Sequence, residues 1–238
     1  MKGTRLYNNY ILIYKMIIYN LRIIFANKFI WFLAGSVLFY IGLSIIYVFS
    51  NDVSKMGDLY GIFLFSGVLL VFYPSVFGIQ NDQDARTIEI LFGIPNYRYK
   101  VWLVRIVLIF IIASLIMLVF TLLSSFFIVK FRIANMTLQV MLPVIFLGVM
   151  AFMLSTIIRN GNGTAVVMIA FGLIFLILSE SLNKSQWNVF LNPFNMPLDI
   201  NETTWAIIIF KNRIVLITGS IIFLLVALYN LQKREKFM

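Results

Sequence analysis

The chain has 238 residues, of which 62% are hydrophobic and 12% charged, with a mean hydropathy of +0.98. A water-soluble domain carries about 25% charged residues, so an ordinary soluble enzyme, a disordered chain and a collagen are excluded in favour of a polytopic membrane protein. Nineteen Lys and Arg against nine Asp and Glu leave a net charge of +10, read as positive-inside topology and contact with anionic lipid rather than nucleic-acid binding.

Taken in chain order, the first element is residues 10–25, apolar at nearly every position except Lys15, Asn20 and Arg22. Asn8, Lys15 and Arg22 are spaced by sevens and share one helical face, which predicts an amphipathic helix lying in the headgroup layer; the alternative is a seventh hydrophobic segment packed against the bundle, and two charges near its centre argue against a full crossing. Six stretches then approach the roughly 20 apolar residues needed to cross a bilayer: 29–49, 59–79, 106–129, 140–158, 164–179 and 214–231. All charged residues fall outside them. The fifth is short, so it is expected to begin within Gly161-Asn162-Gly163 or to end beyond Glu180.

Between the second and third spans lies NDQDARTIEILFGIPNYRYKVWLVR. Asp82 and Asp84 stand where a helix N-terminus favours negative charge. Ile88, Leu91 and Phe92 follow at i, i+3, i+4 as one apolar stripe, and Gly93 and Pro95 end the element. A docking knob for a soluble partner and an interfacial elbow both fit this pattern. After the fifth span, residues 180–213 form the longest loop. Asn192-Pro193-Phe194 and Met196-Pro197 forbid a continuous helix through it, and residues 205–210 (WAIIIF) are expected as a shallow or re-entrant segment anchored by Trp205.

With both termini in the cytoplasm, thirteen Lys and Arg lie inside and six outside. This two-to-one bias sets the expected topology. No cleavable signal peptide is expected, since no small-residue cleavage site follows the first span. The sequence contains no Cys, no His and no GxxxxGK[ST], which removes thiolate chemistry, the usual proton shuttle and a Walker loop. Within the spans Ser36, Ser44, Ser66, Tyr73, Ser114, Thr121 and Ser124 are expected mainly as interhelical hydrogen-bonding groups. Gly61 and Gly67 are candidates for close packing of the second span, and Pro74 and Gly78 for bending it.

The loop after the second span resembles the permease subunits of type-two ABC exporters, whose pattern there is roughly E-x-E-x-G-T-x-E-x-L-x-x-x-P. Asp82, Asp84, Thr87, Glu89, Leu91 and Pro95 stand at the matching spacings, with Arg86 at the Gly position and Asp for both leading Glu. The helix over 10–25, Arg159 between spans four and five, Arg105 at the start of span three and Pro193-Phe194 are also similar to family features. The resemblance implies an all-α integral membrane fold of six transmembrane helices, with an N-terminal interfacial helix and a short cytoplasmic coupling helix. It implies one permease domain over 1–238, divided into a connecting helix (1–28), a bundle (29–231) and a cytoplasmic tail (232–238), in the inner or plasma membrane of a prokaryote.

The same resemblance implies a half-transporter. A second permease, identical or not, would complete the pathway, and two copies of a cytoplasmic ABC ATPase would bind ATP and Mg. This chain would itself carry no cofactor and no metal. Asp82, Asp84, Thr87, Glu89, Leu91 and Phe92 would form the ATPase-coupling surface. Lys15 and Arg22 would mark the interfacial helix. No substrate is legible. An ion-coupled carrier is the first rival, disfavoured because the predicted spans contain no ionisable residue, with Glu180 the nearest candidate. A membrane enzyme is disfavoured because Asp82 and Asp84, two apart on a helix, point about 200° from each other. A non-transporting assembly or sensor subunit is the third.

Overall fold

The computed structural model describes residue 18 and residues 28–49, 56–84 and 98–232. The described residues contain six helices long and apolar enough to cross a membrane and no strand. We number them α1 (Phe29–Phe49), α2 (Met56–Asp84), α3 (Val104–Phe127), α4 (Ile133–Ile158), α5 (Gly161–Ser181) and α6 (Glu202–Asn230). This is the architecture of a multi-pass membrane protein. The predicted interfacial helix over 10–25 and the part of the predicted coupling helix beyond Asp84 lie outside the described residues.

The first span matches its predicted limits, and α5 extends at both ends, as its shortness suggested. Three boundaries differ in an instructive way. Helix α2 continues past residue 79 through Asp82 to Asp84, α3 is preceded by a π-helical turn at Arg98–Leu103, and α6 begins at Glu202. Residues 205–210 are therefore not a separate external segment, and the irregular outer loop ends at residue 201. The helices also hold Asp82, Arg105, Lys211 and Arg213, which corrects the expectation that no ionisable residue lies within them. A charge stops a hydropathy window but not an i→i−4 hydrogen-bond ladder, and a helix runs through it when the fold supplies a partner.

Helices α2 and α4 form the centre. Within their most apolar stretches 61% of residues are buried, against 33% in the third span and 17% in α1, α5 and α6. The outer helices turn side chains such as Trp31, Ile177 and Leu225 outward, as lipid-facing surfaces should. Lipid tails are as apolar as Leu, so association here depends on packing and polar contacts. Gly67 of α2 lets the centre close: a Cβ there would lie 2.8 Å from Val144 of α4. Gly61 has open space around it and plays no such part.

Several of the predicted polar residues do bridge helices. The Ser36 hydroxyl donates to the Ser66 carbonyl (2.9 Å, α1 to α2), and Thr121 meets Thr137 (2.9 Å, α3 to α4). Tyr40 of α1 donates to the Phe120 carbonyl at 3.1 Å, lies 2.9 Å from Ser124 Oγ and stacks on Phe120. Ser114 instead donates to its own helix at Phe110, and Tyr73 pairs with Asn81 in α2. The helices run up and down. The starts of α1, α3 and α5 and the ends of α2, α4 and α6 gather at one end of the bundle, and the opposite termini gather at the other.

Candidate functional site at the Asp82 end of the bundle

Asp82 and Asp84 occupy the last turn of α2, not the first turn of a following helix as the sequence suggested. Asp82 meets Arg105 of α3, which follows directly on the π-helical turn. Arg105 Nη1 donates to Asp82 Oδ2 at 2.7 Å, and both side chains are about 5% exposed. Each buried charge therefore has the other as its partner. Asp84, two residues on and on the opposite face, is exposed.

The guanidinium of Arg105 also lies over the indole of Trp102, 4.7 Å from the ring centroid, a cation–π contact strengthened by burial. Trp102 belongs to the π-helical turn and packs near Phe152 of α4. Arg105 Nε and Nη2 and Trp102 Nε1 have no partner among the described residues. They border a cavity of about 10 Å³ that Pro74, Gly78, Ile106, Ile109 and Phe152 also line.

The neighbouring helix ends join the same platform. Gln80 Oε1 accepts the Gly161 N–H at 2.5 Å, tying the end of α2 to the start of α5. Glycine is required at 161, because a Cβ would collide with Phe77 and Gln80. The link from α4 to α5 is two residues: Arg159 takes the left-handed conformation (φ 60°), and Asn160 caps α5 by accepting the Gly163 N–H at 3.0 Å. Asn230 at the end of α6 donates to Thr156 at the end of α4 (3.3 Å).

Of the residues assigned to coupling, the structure thus brings Asp82 into the bundle and leaves Asp84 on its surface. Thr87, Glu89, Leu91 and Phe92 lie outside the described residues, as do Lys15 and Arg22. No group of three or more metal-ligating side chains forms among the described residues.

Sequence reasoning missed the cluster at the other end. There Arg213 Nε donates to Gln139 Oε1 (2.7 Å) and Nη1 to Asn212 Oδ1 (3.1 Å). Asn212, fully buried, donates to the Gln186 and Asn188 carbonyls at 2.9 and 2.8 Å. Tyr60 donates to the Leu191 carbonyl at 3.2 Å, and Asn192 to the Gly57 carbonyl at 2.8 Å. The outer loop is thereby drawn onto α2 and α6. The only sequence signal was the pair Asn212-Arg213 between two apolar runs. Glu180 lies exposed on a neighbouring pocket of about 420 Å³ with Asn183, Asn188 and Trp205.

Comparison with known proteins gives no match: no family model fits the chain, and no curated protein or solved structure is similar to it.

Proposed function

We propose that the chain is the membrane-spanning permease subunit of an ATP-driven exporter of the type-two ABC class. In this reading it pairs with a second permease to form the pathway and is driven by a separate cytoplasmic ABC ATPase. The observation that carries the reading is the stretch 82–95, where Asp82, Asp84, Thr87, Glu89, Leu91 and Pro95 keep the family spacing. Its first residue is anchored by the buried Asp82–Arg105 pair.

A coupling element needs a rigid base, because force applied to a frayed helix end dissipates in that end. The pair, the Trp102 contact and the Gln80–Gly161 bond supply such a base, so a displacement of 85–97 would reach α2, α3 and α5 together. The two-to-one positive-inside bias supports a cytoplasmic position for this end, where an ATPase would be. ATP and Mg would be bound by that partner, since the chain has no phosphate-binding loop. ATP hydrolysis is thus assigned to the partner and not to this chain.

The test is affinity purification of the tagged chain from native membranes in mild detergent, followed by mass spectrometry and an ATPase assay. The expected result is a stoichiometric Walker-containing partner that is lost or uncoupled by Glu89→Arg. A chain that purifies without any nucleotide-binding protein would overturn the reading.

The second reading, an ion-coupled carrier, gains one observation over its standing on sequence alone: Asp82 and Arg105 are buried within the helices. Intramembrane ionisable pairs commonly serve ion pathways. Uptake or efflux in sealed vesicles that follows an imposed proton or sodium gradient without ATP would favour it.

A further inference from the structure

Arg213 is 7% exposed and has no carboxylate partner among the described residues. Its hydrogen-bond acceptors are the neutral amides of Gln139 and Asn212, and its Nη2 is buried without a partner. The nearby acids are engaged elsewhere or exposed: Asp58 accepts from Tyr47, Asp199 pairs with Lys184, and Glu180 faces the outer pocket. Among the described residues the guanidinium meets only neutral groups, the Tyr60 phenol included, and so lacks the counter-charge that such sites ordinarily have.

A second feature begins one turn away. An apolar groove of about 290 Å³ lies between α3, α4 and α6. On α6 its lining residues Ile217, Ser220, Ile221 and Leu224 follow Arg213 at i+4, i+7, i+8 and i+11, the same helical face. On α4, which runs parallel to α6, the lining residues Leu142, Ile145 and Val149 form a stripe beside the face of Gln139. Arg213 does not itself line the groove but stands one helical turn beyond Ile217, past its outer end. Val107, Ile217 and Ile221 are about half exposed, so the groove opens sideways to the surrounding membrane. The carbonyls of Gln186 and Asn188, at the level of Asn212, bring polar loop backbone to the same depth.

We propose that this seam holds one anionic phospholipid, its phosphate on Arg213 and one acyl chain along the groove. The charge complement fixes the headgroup class, since only an anion offsets Arg213. The volume argues for a single chain: a packed helix, with a diameter of about 10–12 Å, would need far more room. Gln139, partly buried on α4, releases the guanidinium to the phosphate. The inference does not depend on the exporter reading, since a resident lipid is compatible with a permease, a carrier or an assembly subunit.

The test is native mass spectrometry of the full chain after exchange into nanodiscs of dioleoylphosphatidylglycerol or dioleoylphosphatidylcholine. The expected result is retention of the phosphatidylglycerol adduct by about tenfold over phosphatidylcholine, the scale of one charge-assisted hydrogen bond. Arg213→Gln should abolish that preference. Ile221→Trp, which fills the groove and keeps the cation, should reduce retention and serves if the first variant fails to fold. Equal retention of the two lipids, or a preference that survives both variants, would overturn the proposal in favour of general surface charge. A lipid-independent dimer that Ile221→Trp abolishes would assign the groove to a second copy and overturn it as well.

Discussion

The two ends of the bundle bury an arginine by opposite means. At one end Arg105 faces the carboxylate of Asp82 at 2.7 Å, and both are buried. At the other end Arg213 is surrounded by the amides of Gln139 and Asn212 and the phenol of Tyr60, with no acid in contact among the described residues. Similar burial thus corresponds to two electrostatic states, one closed and one open. A closed pair is costly to break from either side, because the surviving charge is stranded. An open site has little to strand, and it leaves a positive field for something outside the chain. The comparison separates a structural arginine from one that invites a ligand.

The largest expected effect tests the closed end. Arg105→Met should leave Asp82 buried without its charge partner and lower stability by about 3–5 kcal/mol in a detergent unfolding titration. The double variant Asp82→Asn with Arg105→Met should recover part of that loss, whereas additivity of the two single effects would break the comparison. Next is Gly161→Ala, whose methyl must displace Phe77 or Gln80, at a cost of about 1–3 kcal/mol in the same titration. A neutral result would mean that the junction of α2 and α5 is loose.

Arg213→Met supplies the contrast. No acid is stranded, but the Gln139 and Asn212 acceptors lose their donor, so stability should fall by about 1–2 kcal/mol, less than at Arg105. The smallest effect belongs to the exposed Lys184–Asp199 pair in the outer loop. The hydrogen bond from Lys184 holds the Asp199 carboxyl below its ordinary 3.8. Its contribution is therefore present above that value and disappears as pH falls through the lowered one. Melting curves of the native chain and Asp199→Asn should differ slightly near neutrality and converge in acid; a gap that widens in acid would reverse the assignment.

The six apolar stretches were legible because lipid demands them, and Phe29–Phe49 agrees with its predicted limits to the residue. The ends of α2 and α6 were not. In both cases the sequence reading stopped at charges whose partners lie far along the chain, 23 residues from Asp82 to Arg105 and 74 from Gln139 to Arg213. A window along the chain registers the charge without its compensation, so it ends the span where the helix continues. The capping residues Asn160 and Asn201 follow ordinary local rules. Had they been used as start signals, they would have placed the beginnings of α5 and α6.

The corner formed by Arg159 and Asn160 bears on how the bundle can move. Two residues between α4 and α5 leave no slack, whereas residues 182–201 lie between α5 and α6. A tilt at the end of α4 must carry the start of α5 with it, and Gln80 passes part of that tilt to α2. The longer link is the place where the molecule can change its spacing without tearing a helix. Mechanically, the chain is geared at one end and compliant at the other.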